Sequence, residues 1–114
     1  MFEIVDKILE LPERTKLQIL SPIVRGQKGT HKKTLEGLKK EGFVRVRVNG
    51  ENYEVTDEIE LSKNKKHNIE VVVDRIVVKD GIEGRLSDSI ETAIKLSDGL
   101  VIAQIIDGEE ILYS

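Results

Sequence analysis

Three arginines carry the clearest chemistry in this sequence. Arg45 and Arg47 alternate with Val44, Val46 and Val48, and Arg75 interrupts the apolar run at residues 69–78. A guanidinium stays charged and presents its N–H donors in a planar fork, so it is costly to bury without a partner. Either internal carboxylates take these groups up, with Asp74, Glu54 and Glu70 as the candidates, or they emerge on an exposed sheet face. There they would offer bidentate donors to the carboxylates of a partner. A second basic feature, Lys63-Asn64-Lys65-Lys66-His67, has no aromatic neighbours on which bases would stack, and reads as a solvated linker or as a phosphate contact.

Other chemistries find less to work with. Gly26-Gln27-Lys28-Gly29-Thr30-His31-Lys32 has the glycine, lysine and threonine of a phosphate cradle, but a Walker A loop needs four residues between its glycines and then Gly-Lys-Ser/Thr. Here only two residues lie between the glycines, and Gly29 is followed by Thr30-His31, so the stretch reads as a solvated basic loop. His31 and His67 lie far apart in sequence, and neither has a second His or a Cys at metal-ligand spacing. No Ser sits in a Gly-x-Ser-x-Gly elbow, and Glu58, Glu60, Glu109 and Glu110 lie in polar stretches that solvation explains. No residue is therefore assigned a catalytic role.

The elements that hold these residues follow from periodicity. Ile4, Ile8 and Leu11 form a helical stripe flanked by Val5 and Leu9 and stopped at Pro12. Residues 17–24 read as a strand interrupted at Pro22, which suggests an edge or a bulge. Thr30 is the candidate N-cap of a mostly solvated helix over 31–41, anchored by Leu35 and Leu38 and ended by Gly42. Residues 43–48 alternate strictly, valines on one face and arginines on the other, so Val46→Asp should unfold the chain and Arg47→Ala should be mild. Asn49-Gly50 is a hairpin turn leading to residues 53–55. Strand, helix, strand before that hairpin implies a right-handed crossover and a parallel pair. Residues 69–78, apolar on both parities, form a long central strand. Asp88 and Glu91 are spaced as a capping box for a helix with Leu86, Ile90, Ala93, Ile94 and Ser97 on one stripe, ended by Gly99. Two strands, 100–106 and 110–113, close the chain through Asp107-Gly108. The result is an α/β chain forming a single domain, with a mixed β-sheet and two to three helices.

At 114 residues the length suits one domain and one core. With 18 basic and 21 acidic residues the net charge is −3, so any basic site is local rather than global. The sequence lacks Cys, which excludes disulfides and Cys-ligated zinc and fits a reducing compartment, with cytoplasm the default. No apolar run is long enough for a membrane span, and the N-terminal residues Met1-Phe2-Glu3-Ile4-Val5-Asp6 lack the pattern of a signal peptide. Both ends fall at regular elements with almost no polar tail, which points to a piece of a longer chain.

A series of motifs in order is more specific than any of these features alone. Leu11-Pro12-Glu13-Arg14-Thr15, Ile19-Leu20-Ser21-Pro22-Ile23-Val24-Arg25-Gly26, Lys28-Gly29-Thr30-His31-Lys32-Lys33 and Gly42-Phe43-Val44-Arg45-Val46-Arg47-Val48-Asn49-Gly50 are followed by Lys63 to His67 and Glu70-Val71-Val72-Val73-Asp74-Arg75. With Asp88-Ser89-Ile90-Glu91-Thr92-Ala93 and Glu110-Ile111-Leu112-Tyr113-Ser114, this series resembles the bacterial UvrA family over its whole length. UvrA proteins are the damage-sensing ATPases of the ABC excinuclease, which carries out nucleotide excision repair.

The resemblance implies that residues 1–114 are the UvrB-binding domain, an excised piece of a larger ABC-type ATPase. Walker A, the Leu-Ser-Gly-Gly-Gln signature and the zinc cysteines of that parent are absent from this sequence. ATP, zinc and catalysis accordingly stay with the parent, and no cofactor is implied for this stretch. The family meets UvrB through a polar interface, basic residues against acidic ones. The matching positions are Arg45 and Arg75, with Arg47, Lys65 and Lys66 adding to the patch. Implied partners are UvrB and, through its UvrB-like domain, the transcription-repair coupling factor. DNA is reached only through the parent, no membrane is involved, and the piece is monomeric. The competing reading is a nucleic-acid-binding module using the Arg45/Arg47 face and the Lys63 to His67 run, against which the net charge of −3 argues.

Overall fold

The computed structural model describes residues 2–114; Met1, first in the N-terminal run read above, lies outside the described residues. The elements are α1 (Phe2–Leu9), β1 (Lys16–Lys28), α2 (Lys32–Lys40), β2 (Arg45–Val48), β3 (Glu51–Glu54), β4 (Lys66–Val77), α3 (Glu83–Ser97), β5 (Val101–Ile105) and β6 (Glu110–Tyr113). The α/β class with three helices and one sheet is as the periodicity predicts. The strand order is β3-β2-β4-β1-β5-β6. The pairs β1–β5, β2–β3, β2–β4 and β5–β6 are all antiparallel.

The parallel crossover inferred from strand, helix, strand does not form. β2 pairs with β4, placing Val46 opposite Val71 and Val48 opposite Ile69, so apolar residues meet across the pair and the strand is claimed by a segment beyond the hairpin. β1 and β4 run to 13 and 12 residues, about twice the usual strand length of ~5–6. They are long because they serve two compact units, Pro22–Val72 and the rest of the chain. Where the length suggested one core, the buried residues form two clusters.

In the unit Pro22–Val72, Val46, Val48, Ile69 and Val71 are buried with Val24, Leu38 and Val55. α2 covers them with Leu38, and Leu35 packs against the same cluster. Thr30 is not its N-cap. His31 holds that position at φ 54 without a side-chain bond, and residues 25–28 belong to β1 instead of a loop. The other end is as expected: Gly42, at φ 89, donates its N–H to the Lys39 carbonyl while Phe43 donates to that of Leu38. This double closure needs a left-handed residue at the glycine. Asn49 and Gly50 are both at positive φ, 51 and 86, as the hairpin requires. Val44 departs from the alternation, lying before β2 and 60% exposed.

In the other unit, α1 and α3 bury Ile4, Val5, Ile8, Leu86, Ile90 and Ala93 against Leu17 and Ile19 of β1, Ile76 of β4 and Val101 and Ala103 of β5. α3 starts at Glu83, so Asp88 and Glu91 sit inside it and form no capping box; its N-terminal boundary residue is Ile82, buried in the core. Its last turn closes with Asp98 and Gly99 at φ 59 and 115. Pro22 neither ends nor interrupts β1. The β1–β5 ladder runs from Leu17 to Leu20, so the missing N–H of Pro22 falls beyond those paired positions.

Candidate functional site

The fate of each arginine follows from what stands across from it. In β2 of the Pro22–Val72 unit, Arg47 is registered opposite Glu70 of β4. Its Nε donates to Glu70 Oε1 at 2.6 Å, and the two side chains are only 10% and 8% exposed. The internal-pairing alternative therefore holds for Arg47. Arg45, two residues earlier, faces Glu54 in the β2–β3 register and is exposed. Among the described residues its guanidinium has no hydrogen bond or ion pair. Lys65 and Lys66, at the entry to β4, are exposed as well.

The two histidines, distant in sequence, meet edge to face with ring centroids 5.9 Å apart. His67 is buried and bonded to the hairpin turn. The Asn49 side-chain amide donates to His67 Nδ1 at 3.0 Å, and His67 Nε2 donates to the Ser62 carbonyl at 2.7 Å. Asn49 Oδ1 accepts the backbone N–H of Asn68 at 2.9 Å, which fixes that amide's orientation and, through it, the His67 tautomer. His31 hydrogen-bonds the Gln27 carbonyl at 3.0 Å. Among the described residues no group of three His, Cys, Asp or Glu converges as a metal would require. A cleft of about 380 Å³ opens between α2 and residues 55–60, lined by Lys32, Glu36 and Lys39 opposite Asp57, Glu58 and Glu60. Its charges are mixed.

In the other unit Arg75 does not pair with the Asp74 carboxylate through its guanidinium. Asp74 takes a two-point contact from Arg85 of α3, at 3.0 Å from Nε and 2.7 Å from Nη2, and a hydroxyl bond from Ser89 at 2.7 Å. Only the backbone N–H of Arg75 reaches it, at 2.8 Å. The exposed Arg75 side chain instead donates from Nε to Gln18 Oε1 of β1 at 2.9 Å. Sequence reasoning missed Arg85 and Gln18, which lie 11 and 57 positions from their partners. No local pattern marks contacts of that range.

The Arg85 hydrogen bonds hold the Asp74 carboxyl below the usual carboxylate range, against the opposing effect of partial burial, with Ser89, the Arg85 charge and the Arg75 N–H adding to the lowering. A carboxyl whose pKa is lower folded than unfolded stabilises the fold above its unfolded value and loses that contribution as pH falls through its folded one. Asp74→Asn should therefore be less stable than the parent at neutral pH, with the gap narrowing as pH falls below about 4. Melting curves of both chains from pH 7 to pH 2 check this; a gap that widens in acid would contradict it.

The profile of the UvrA interaction domain family matches residues 1–107. The chain belongs to that family. Among curated relatives, UvrABC system protein A of Clostridium perfringens is 66% identical over 113 residues, that of Halalkalibacterium halodurans 65% over 112, and that of Bacillus subtilis 60% over 112. Each match covers 98% of this chain and 12% of the relative, so the chain spans about an eighth of the length of these UvrA proteins. Within the UvrA interaction domain described here, no helix among the described residues is long and apolar enough to cross a membrane.

Proposed function

We propose that this UvrA interaction domain is a non-catalytic docking module for UvrB in bacterial nucleotide excision repair, acting in the cytoplasm through Arg45 and Arg75, with Lys65 and Lys66 as further exposed basic residues of the unit that carries Arg45. The observation that carries this reading is the division of labour among the arginines. Arg47 and Arg85 are matched to carboxylates of this chain, whereas Arg45 and the terminal nitrogens of Arg75 are exposed and have no acceptor among the described residues. Exposed, uncompensated guanidinium groups on strands are suited to carboxylates of a partner. Arg47, which the family pattern would add to the patch, serves on this reading to hold β2 to β4. The transcription-repair coupling factor, through its UvrB-like domain, is a second partner for the same residues. ATP and zinc belong to the larger protein: these residues offer no Walker A loop, and the chain has no cysteine.

Arg45→Ala and Arg75→Ala should each weaken UvrB binding by about 1–3 kcal/mol, since a charge-assisted contact is lost and a partner carboxylate is stranded. Both variants should keep the parent circular dichroism spectrum. Calorimetric titration of each folded variant with UvrB tests this, and unchanged affinity in both would move the contact surface elsewhere.

A further inference from the structure

We infer that Gln18 and Gln104 are positioning residues that preset Arg75 for an end-on, two-point contact with a carboxylate of the partner; the inference rests on the docking role proposed for Arg75. Gln18 is only 2% exposed, so its amide must be satisfied from within. Its Nε2 donates to Gln104 Oε1 on the neighbouring β5 position at 2.8 Å, and its Oε1 accepts from Arg75 Nε at 2.9 Å. Arginine can only donate, which fixes the direction of the whole relay: the Gln18 oxygen must face Arg75, its nitrogen must face Gln104, and the Gln104 oxygen must face Gln18.

Two consequences follow for Arg75. Its Nε is occupied, so the side-on grip that Arg85 uses on Asp74, through Nε and Nη2, is closed to it. Only the Nη1 and Nη2 edge remains for a partner, and that edge is held by a bond to a buried group instead of sweeping through rotamers. Because Gln18 is neutral, the relay orients the guanidinium without neutralising its charge, as a glutamate there would. Part of the ordering cost of binding is thus met in the free chain.

Two substitutions separate orientation from charge. Gln18→Met removes the acceptor at nearly constant volume and should weaken UvrB binding roughly 2–10-fold, the range expected for one side chain no longer held in place. Gln18→Glu keeps an acceptor for Nε but supplies an internal counter-charge, and should weaken binding with a shallower dependence on salt. The effect of Gln18→Met should vanish in the Arg75→Ala background and persist in the Arg45→Ala background. Nitrogen relaxation at Arg75 Nε in the free chain should show a restricted N–H in the parent and a mobile one in Gln18→Met. Equal mobility in both, or a Gln18→Met penalty that survives in Arg75→Ala, overturns the positioning role and leaves the docking reading intact. Unchanged UvrB affinity in Arg75→Ala itself overturns the docking role of Arg75, and this inference with it.

Discussion

Val46→Asp should leave the chain largely unfolded at room temperature. Val46 is fully buried, opposite Tyr53 on one side and Val71 on the other, in the cluster it shares with Val24, Leu38, Val48 and Ile69. A carboxylate there has no donor assigned to it and must either remain charged in an apolar site or be protonated at pH 7. Either route costs several kcal/mol, a large part of the roughly 5–15 kcal/mol that holds a typical domain together. Circular dichroism melts of the parent and the variant check this. A melting temperature within a few degrees of the parent would mean that this face of β2 is not buried as described.

Glu70→Ala is the second large effect. It removes the carboxylate from Arg47 while leaving the guanidinium in a site where the pair is about nine-tenths shielded. Breaking a buried pair from one side costs about 3–5 kcal/mol, because the remaining charge keeps its desolvation penalty. Arg47→Ala should also be costly, contrary to the mild effect that alternation alone suggests, since Glu70 would then be stranded. Replacing both with Met should recover much of the loss. Urea denaturation of the three variants provides the comparison. If Glu70→Ala loses less than about 1 kcal/mol, the pair contributes no more than a surface ion pair would.

Why alternation misjudged Arg47 shows how far the sequence could be read. A period of two places Arg45 and Arg47 on one face, and that is where they stand. It does not say that β4 lies alongside with Glu70 opposite Arg47, nor that the covered part of that face begins between the two arginines. Local signals were reliable where the physics is local: the Asn49-Gly50 turn, the glycine closing α2, the central run of β4, the stripe of α3. The parallel pair and the Asp88/Glu91 box each follow a neighbourhood rule that a contact made elsewhere in the chain overrules, whereas at Thr30 the helix boundary simply falls one residue later, at His31. α3 begins at Glu83, with Ile82 and Leu86 packed into the core with α1. The family resemblance singled out Arg45 and Arg75 where periodicity could only leave them in need of partners. Their surroundings, Gln18 above all, are set by the fold and have no signature in the sequence.

The central claim is that this domain recognises a protein and not a nucleic acid, and the most direct measurement is a calorimetric titration of the chain with UvrB alongside one with duplex DNA in the same buffer. The expected result is saturable one-to-one binding of UvrB that weakens as salt rises, and no saturable binding of DNA by a chain of net charge −3. Saturable binding to the duplex with none to UvrB would contradict the claim, and would make Arg45 and the Lys63 to His67 run a phosphate track.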